Sequence, residues 1–391
     1  MENLLKRGTS PFRSLLRTLL PPLIIAVLAI TAFQTRVRHE MADFGVYRQA
    51  ATRLMDAKPL YQATDGHYQF KYLPAFAILA VPFAWVDEES AKLMWFALSI
   101  GALVLLLRLA VRFVPERRRG VGLLATLTFI FMAKFYLHEL ILGQSNLLFA
   151  VLVVAAIGAL QVDADATAGA LLGAAVCIKP YGLLFAPWLA VHARTDNRRG
   201  IVAFATVCFI ALIAPAAVYG FRGNFQLLAE WWRTVSESTA PNLTGADNVS
   251  FAAMWAKWIG HGSAARLLAA LSSAAGLAVV IDAWRRRQET GDPLYLEAAA
   301  LLVLIPLLSP QGWDYVLLLA TPAVALIFDR LPELPARWKA VAWVAIGVMG
   351  LTMFDLVGRA AYSRLMSWSV ITLAAIGVLI CLGKLRRLAL A

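Results

Sequence analysis

The chain has 391 residues, of which 60% are hydrophobic and 15% charged. Soluble domains run at about 45–50% apolar and about 25% charged, so this composition excludes a soluble globular protein, and with it a disordered, collagen-like or disulfide-stapled one. The net charge of +12 comes from 36 Lys and Arg against 24 Asp and Glu. In so apolar a chain that excess reads as basic cytoplasmic loops that orient a membrane protein, and no nucleic-acid partner is expected. Cys177, Cys208 and Cys381 fall in apolar stretches and read as buried small hydrophobes.

A helix needs about 20 largely apolar residues to cross the hydrocarbon core. The first candidate, 15–35, follows Lys6, Arg7, Arg13 and Arg17, lacks a small-residue cleavage site, and reads as a retained anchor with a cytoplasmic N-terminus. Residues 36–90 then form a long outer segment. Phe44, Tyr47, Ala51, Leu54 and Met55 recur there at helical spacing, with Arg48, Gln49, Thr52, Arg53 and Asp56 elsewhere on the wheel. This is the pattern of an amphipathic helix lying along the outer leaflet. Asp43 stands at its start, either as a plain N-cap facing the helix dipole or as a general base at the membrane surface. Phe70-Lys71-Tyr72-Leu73-Pro74 is an interface anchor in which Lys71 suits a lipid phosphate as a point charge. The apolar run 72–86 contains Pro74 and Pro82 and spans poorly, so it is expected to lie in the interface or to dip in and return.

Further spans are expected at 91–113, 120–137, 146–162, 167–179, 181–193, 200–220, 264–284, 295–308, 315–328, 339–355 and 367–383, about twelve with the first. His138-Glu139 and Gly143-Gln144-Ser145-Asn146 make a short outer turn. Ser145 or Asn146 serves as a cap for the next helix, whereas Gln144 and Glu139 have no such role beside hydrocarbon. Lys134 and Lys179 sit in or at the ends of apolar segments; snorkelling explains either, and Lys179, next to a break at Pro180, is the better phosphate candidate. Gly169 and Gly173 offer a small-xxx-small face for close helix packing. Asp163-Ala164-Asp165 has the spacing of a nucleotide-sugar metal motif, but it lies in a short cytoplasmic loop and reads as loop composition.

The second long outer segment, 221–263, carries Trp231-Trp232, Asp247, Lys257-Trp258 and glycosylation-like triplets at Asn242 and Asn248, which have little weight. Ser309-Pro310-Gln311-Gly312-Trp313-Asp314-Tyr315 forms a polar turn between apolar helices, and Asp355, Arg359 and Arg364 complete the outer set. Basic clusters around 117–119, 194–199, 285–287, 330–339 and 384–387 then share the cytoplasm with both termini, and chemistry is left to the outer face. The five His are scattered without metal-ligand spacing, and no phosphate loop or nucleophile elbow is present, so neither metal nor cofactor is expected.

In chain order, Asp43, Phe70-Lys71-Tyr72-Leu73-Pro74, Gly143-Gln144-Ser145-Asn146, Lys179-Pro180, Asn248-Val249-Ser250 and Ser309-Pro310-Gln311-Gly312-Trp313 form a series. From about 20 to 380 the chain resembles glycosyltransferase family 87, the bacterial integral-membrane mannosyltransferases of the GT-C fold. The resemblance implies one domain over 1–391, an all-α polytopic bundle in the bacterial cytoplasmic (inner) membrane. It also implies a polyprenyl-phosphate sugar donor, usually mannose, a glycolipid or glycan acceptor among the membrane lipids, and inverting transfer with the first-loop acid, here Asp43, as base. A departing phosphate needs cations, for which Lys71, Lys179, His138 and Arg359 are the candidates. Tyr47, Tyr72, Glu139, Gln144, Asn146, Asn248, Gln311, Trp313, Asp314 and Tyr315 are the candidates for substrate contact. The chain departs from the family where Ser-Pro-x-x-Trp is often followed by a His pair, since Asp314-Tyr315 stands there. Transfer of another polyprenyl-linked sugar is the runner-up. A lipid or sugar transporter fits less well, because the polar residues gather at one boundary and not at mid-bilayer.

Overall fold

The computed structural model describes residues 27, 30–192, 197–285 and 293–389. Most of the first expected span, together with Lys6, Arg7, Arg13, Arg17, Arg194, Arg286 and Arg287, lies outside the described residues. Within them the chain is helical, with no strand and one antiparallel bridge between Asn248 and Trp313. The helices, in order, are α1 (Ala42–Met55), α2 (Pro74–Ala84), α3 (Glu88–Arg112), α4 (Val121–Leu142), α5 (Asn146–Gln161), α6 (Asp165–Ile178), α7 (Phe185–His192) and α8 (Asn197–Ile213). They continue with α9 (Ala216–Glu237), α10 (Phe251–Ile259), α11 (Ser263–Arg285), α12 (Leu294–Leu308), α13 (Thr321–Arg330), α14 (Ala336–Leu351), α15 (Arg359–Ser367) and α16 (Val370–Ala389).

Each expected span beyond the first falls on helix, but not all are of crossing length. By length and composition, α3, α4, α11 and the continuous segment Asp314–Glu333 can cross a membrane; two bent pairs bring the number among the described residues to six, against the eleven expected beyond the first span. The rest are shortened by breaks written into the sequence. Helix α5 has 16 residues, about 24 Å at 1.5 Å per residue, short of a hydrocarbon core of about 30 Å. Helix α6 stops at Lys179-Pro180, because a residue before proline is pushed out of the α region. The 72–86 run forms the 11-residue α2, with Pro74 in its first turn and Pro82 inside. Helix α4 continues past 137 to Leu142, so His138 and Glu139 belong to its last turn. Gly143 ends it at φ 69°, and a Cβ there would meet Phe44 Cβ at 2.7 Å.

Small residues decide the closest packing. A Cβ on Gly169 would lie 1.9 Å from Gly200 O, so α6 and α8 touch backbone to backbone, as the Gly169/Gly173 pair anticipates. Helix α1 buries Phe44 and Tyr47 against α2 and α3, with ring centroids 5.0 Å to Phe76, 5.7 Å to Phe83 and 5.3 Å to Trp95. Its polar face is also used: the Arg48 guanidinium donates to Phe83 O and Val86 O, carbonyls at the end of α2. Met55, counted with the apolar stripe, is exposed. The second outer segment contains an amphipathic helix that the sequence pattern did not single out. Helix α9 bends by 89° from α8 and carries Phe221, Phe225 and Trp232 exposed along one stripe, while Trp231 is half-buried.

Two polar ends result. At one, the Asp329 carboxylate accepts from Arg118 N and Arg119 N, and His192, Glu297 and Arg386 meet between α7, α12 and α16. From that end α4 and α12 run to the other, and Asp314–Glu333 runs back. The other end holds the cavity described next.

Candidate active site

A cavity of about 470 Å³ opens at the end where α4 and α12 finish. It is lined from seven stretches of the chain: Asp43 and Tyr47 of α1, His67 to Tyr72, His138 to Asn146, Lys179 to Tyr181, Trp231 to Thr239, Asp247, and Ser309 to Val316. Six of these belong to the segments assigned to the outer side by charge placement, or to the turns between them.

Asp43 is the second residue of α1. Met41 takes the cap position, without a side-chain cap, and the Asp43 carboxylate turns away from the helix end to accept from Gln144 Nε2 at 2.6 Å. The plain N-cap reading is therefore set aside. Burial pushes the Asp43 carboxyl above its usual range, opposed by the Gln144 hydrogen bond and by the charges of Lys179, Lys71 and His67. Lys71 is half-buried and its ammonium has no hydrogen bond or ion pair among the described residues; burial holds the ammonium below the usual lysine value, and Asp43 counters this. The backbone around it is fixed from two sides. Trp231 Nε1 donates to Lys71 O at 3.1 Å, and Tyr61 Oη donates to Tyr72 O at 2.7 Å. A bidentate Arg53–Asp65 pair closes the loop that presents His67 and Lys71.

Lys179 sits at the α6 break with extended backbone, and its ammonium donates to Tyr72 Oη at 2.7 Å and Gln144 Oε1 at 3.2 Å. Tyr47 and Tyr72 join hydroxyl to hydroxyl beneath it. On the far wall, Gln311 Nε2 donates to Ser238 Oγ and Thr239 Oγ1, each at 3.1 Å. The Ser309–Trp313 turn depends on Gly312, where a Cβ would fall 1.8 Å from Pro306 O.

Four expected site residues stand back from the cavity. Glu139 is fully buried behind it, where its carboxylate accepts from Asn146 Nδ2 at 2.8 Å and Leu147 N at 3.1 Å. Asn146 is thus held from behind, with Tyr181 Oη donating to its Oδ1, and neither Ser145 nor Asn146 acts as a side-chain cap. Asp314 is fully buried and pairs with Lys134 at 2.8 Å and His138 at 3.3 Å. Lys134 therefore does not snorkel, and of this trio only His138 lines the cavity. Asn248 knits its own turn, with Oδ1 accepting from Ser250 N and Nδ2 donating to Asn242 O and Pro310 O; so buried an amide is closed to glycosylation. Arg359 is exposed and lies over the Phe354 ring at 5.5 Å. A helix-terminal position carries no information on which way a side chain points, and for Glu139 and Asp314 the neighbour that decided it comes from another element.

Sequence reasoning missed His67, Gln69, Tyr181 and Thr239, all of which line the cavity, and passed over Trp231 and Asp247 as loop residues. Tyr181 had a signal, since it follows Lys179-Pro180 at the break; Thr239 had none. Among the described residues, no group of three His, Cys, Asp or Glu side chains is placed to hold a metal ion. The site can therefore offer a carboxylate, a free ammonium and an imidazole around one space, with aromatic and amide walls.

Residues 70–310 match the family model for glycosyltransferase family 87. The matched segment takes in Lys71, Gln144, Lys179 and Trp231, and begins after Asp43. No curated protein matches the chain significantly. A match over more than half of an apolar, all-helical chain leaves one assignment: the chain belongs to glycosyltransferase family 87.

Proposed function

We propose that the chain is an inverting glycosyltransferase that moves a hexose, mannose first among the candidates, from a polyprenyl-phosphate carrier to a hydroxyl of a glycolipid or glycan. It works on the outer face of the bacterial cytoplasmic membrane, in a GT-C type bundle with both termini inside. One observation supports this most directly. A single cavity, within the usual ligand-site range of about 300–1,000 Å³, has Asp43 and the unpaired Lys71 on its walls. A lipid-linked donor cannot leave the bilayer, so its phosphate and anomeric carbon stay at the interface where these groups lie. In the transfer, the acceptor oxygen bonds to the anomeric carbon and gives its proton to Asp43. The bond to the phosphate oxygen breaks, and the polyprenyl phosphate leaves with the electron pair. Lys71 is the cation best placed to receive the developing charge, with His138 on the same cavity wall and Lys179 contributing its remaining N–H.

The test is transfer from radiolabelled polyprenyl-phosphate mannose to a membrane lipid extract by the purified protein, beside a panel of other polyprenyl-phosphate sugars. Asp43→Asn is expected to lower the rate by about 10²–10⁴-fold, the usual reach of a general base. Full transfer by that variant removes Asp43 as base. Wild-type transfer is expected to fall as pH drops through the raised Asp43 pKa, because the base form is lost on protonation.

A further inference from the structure

Gln144 sits at the floor of the cavity, yet its amide has no capacity left for a substrate. Its Oε1 accepts from Lys179 Nζ at 3.2 Å and from the tyrosine pair, where one hydroxyl proton bridges Tyr47 and Tyr72 and the other reaches the amide, from Tyr72 Oη at 3.0 Å or Tyr47 Oη at 3.2 Å. Its Nε2 donates to Asp43 Oδ2 at 2.6 Å and Tyr315 Oη at 3.2 Å. A primary amide has one acceptor oxygen and two N–H donors, so every site is filled. Its two ends are also not interchangeable. The Lys179 ammonium can only donate and an ionised Asp43 can only accept, so turning the amide over would set donor against donor and oxygen against oxygen.

We infer that Gln144 is the positioning residue for Asp43. It holds Oδ2 in the ionised state and leaves Oδ1, which has no hydrogen bond among the described residues, for the acceptor hydroxyl. This deepens the reading of Asp43 as general base and rests on it. Gln144, first read as a substrate contact, then acts through Asp43 alone.

The surroundings make such a residue necessary. Asp43 is half-buried, which favours a protonated and therefore inactive carboxyl. The charges that act on it are those of Lys179 at the α6 break and of Lys71 and His67 from the first outer segment, and its own charge is felt by Tyr47 on its helix and by Tyr315. Among the described residues none of these donates a hydrogen bond to the carboxylate; Gln144 does, at charge-assisted length. Lys179 acts at one remove: it fixes the amide that faces the base, and a positive charge on that side keeps the amide oxygen turned away from Asp43.

The experiment follows the titration of Asp43 without any sugar. A hydrophobic carbodiimide reacts with protonated carboxyls, and peptide mass spectrometry reads its attachment to Asp43 across pH in the full-length protein in detergent. In Gln144→Leu the labelling midpoint is expected to rise by about one pH unit or more, the size of a lost charge-assisted hydrogen bond. Gln144→Glu keeps the shape where leucine fails to fold, and the new carboxyl, sharing a proton with Asp43, is expected to raise the midpoint as well. The acid limb of sugar transfer should move with the midpoint in both variants. A midpoint unmoved in either folded variant overturns the inference. Full transfer by Asp43→Asn, with the midpoint still displaced in the Gln144 variants, overturns the base reading and leaves the contact standing as a structural one.

Discussion

Both ends of the molecule bury charge between helices, and they do it differently. At the end away from the cavity, Asp329 is wholly buried and its oxygens accept from Arg118 N at 2.9 Å and Arg119 N at 2.8 Å, with Arg330 Nε at 3.7 Å. Glu297, equally buried, meets His192 and Arg386. Each of these two buried carboxylates faces another part of the protein. At the cavity end, Asp43 has one oxygen tied and one open, and the Lys71 ammonium has no hydrogen-bond partner among the described residues. Desolvating a charge is costly unless it is paired. A paired charge therefore reads as a clamp between helices, and a desolvated charge left facing a space reads as a group kept for a ligand.

Substitutions can break that contrast. The largest effect is expected from Asp329→Ala, which strands the backbone N–H groups of Arg118 and Arg119, while Arg330 keeps Glu333 and Pro115 O. It should cost about 3–5 kcal/mol in unfolding measured in detergent, while transfer per folded molecule stays at the wild-type rate. A loss of transfer without loss of stability would mean that the two ends do not divide labour as described. Lys71→Gln is expected to do the reverse, lowering transfer by about 10²–10³-fold, the scale of a lost oxyanion donor, with the unfolding midpoint held. Kinetics on the two variants, with unfolding curves beside them, check both statements.

The smallest expected effect is at the edge of the cavity end. The Lys257 ammonium donates to Ala246 O at 2.9 Å and Asn248 O at 2.7 Å, and burial lowers its pKa from 10.5 to about 8. The folded chain thus releases this proton first. Between about 8 and 10.5 the unfolded chain binds more protons, so stability rises with pH across that window. Lys257→Met should lack the rise, and a parallel pH series of unfolding curves reads the difference. Identical slopes would show that this lysine is solvated and takes no part in holding the 246–248 turn.

Much of the helix layout was legible because lipid makes hydropathy nearly sufficient. The runs at 91–113 and 264–284 appear as α3 and α11 with boundaries moved by only a few residues. Proline and glycine marked the breaks at Lys179-Pro180 and Gly143 for steric reasons that need no tertiary context. What hydropathy overstated was crossing length: α5, α6 and α12 are apolar but too short to reach across by themselves. At the site, Asp43, Lys71 and Lys179 could be picked out as polar groups in apolar surroundings. Their partners could not. Asn248, Asp314 and Glu139 look in sequence like the cavity-lining residues beside them, yet each is turned to a protein neighbour.

Composition alone is enough to place this chain in a bilayer, and apolar runs bounded by Gly, Pro and Arg are enough to say where its helices lie. Those are local properties, set by the free energy of each segment in lipid and by the sterics of single residues. Only tertiary packing decided which polar side chains share a space. Asp43 and Gln144 are about a hundred positions apart, and Lys71 and Trp231 farther still, yet they meet within hydrogen-bonding distance. A polar group near hydrocarbon must find a partner, but its own sequence neighbourhood does not say whether that partner is a helix behind it or a substrate in front.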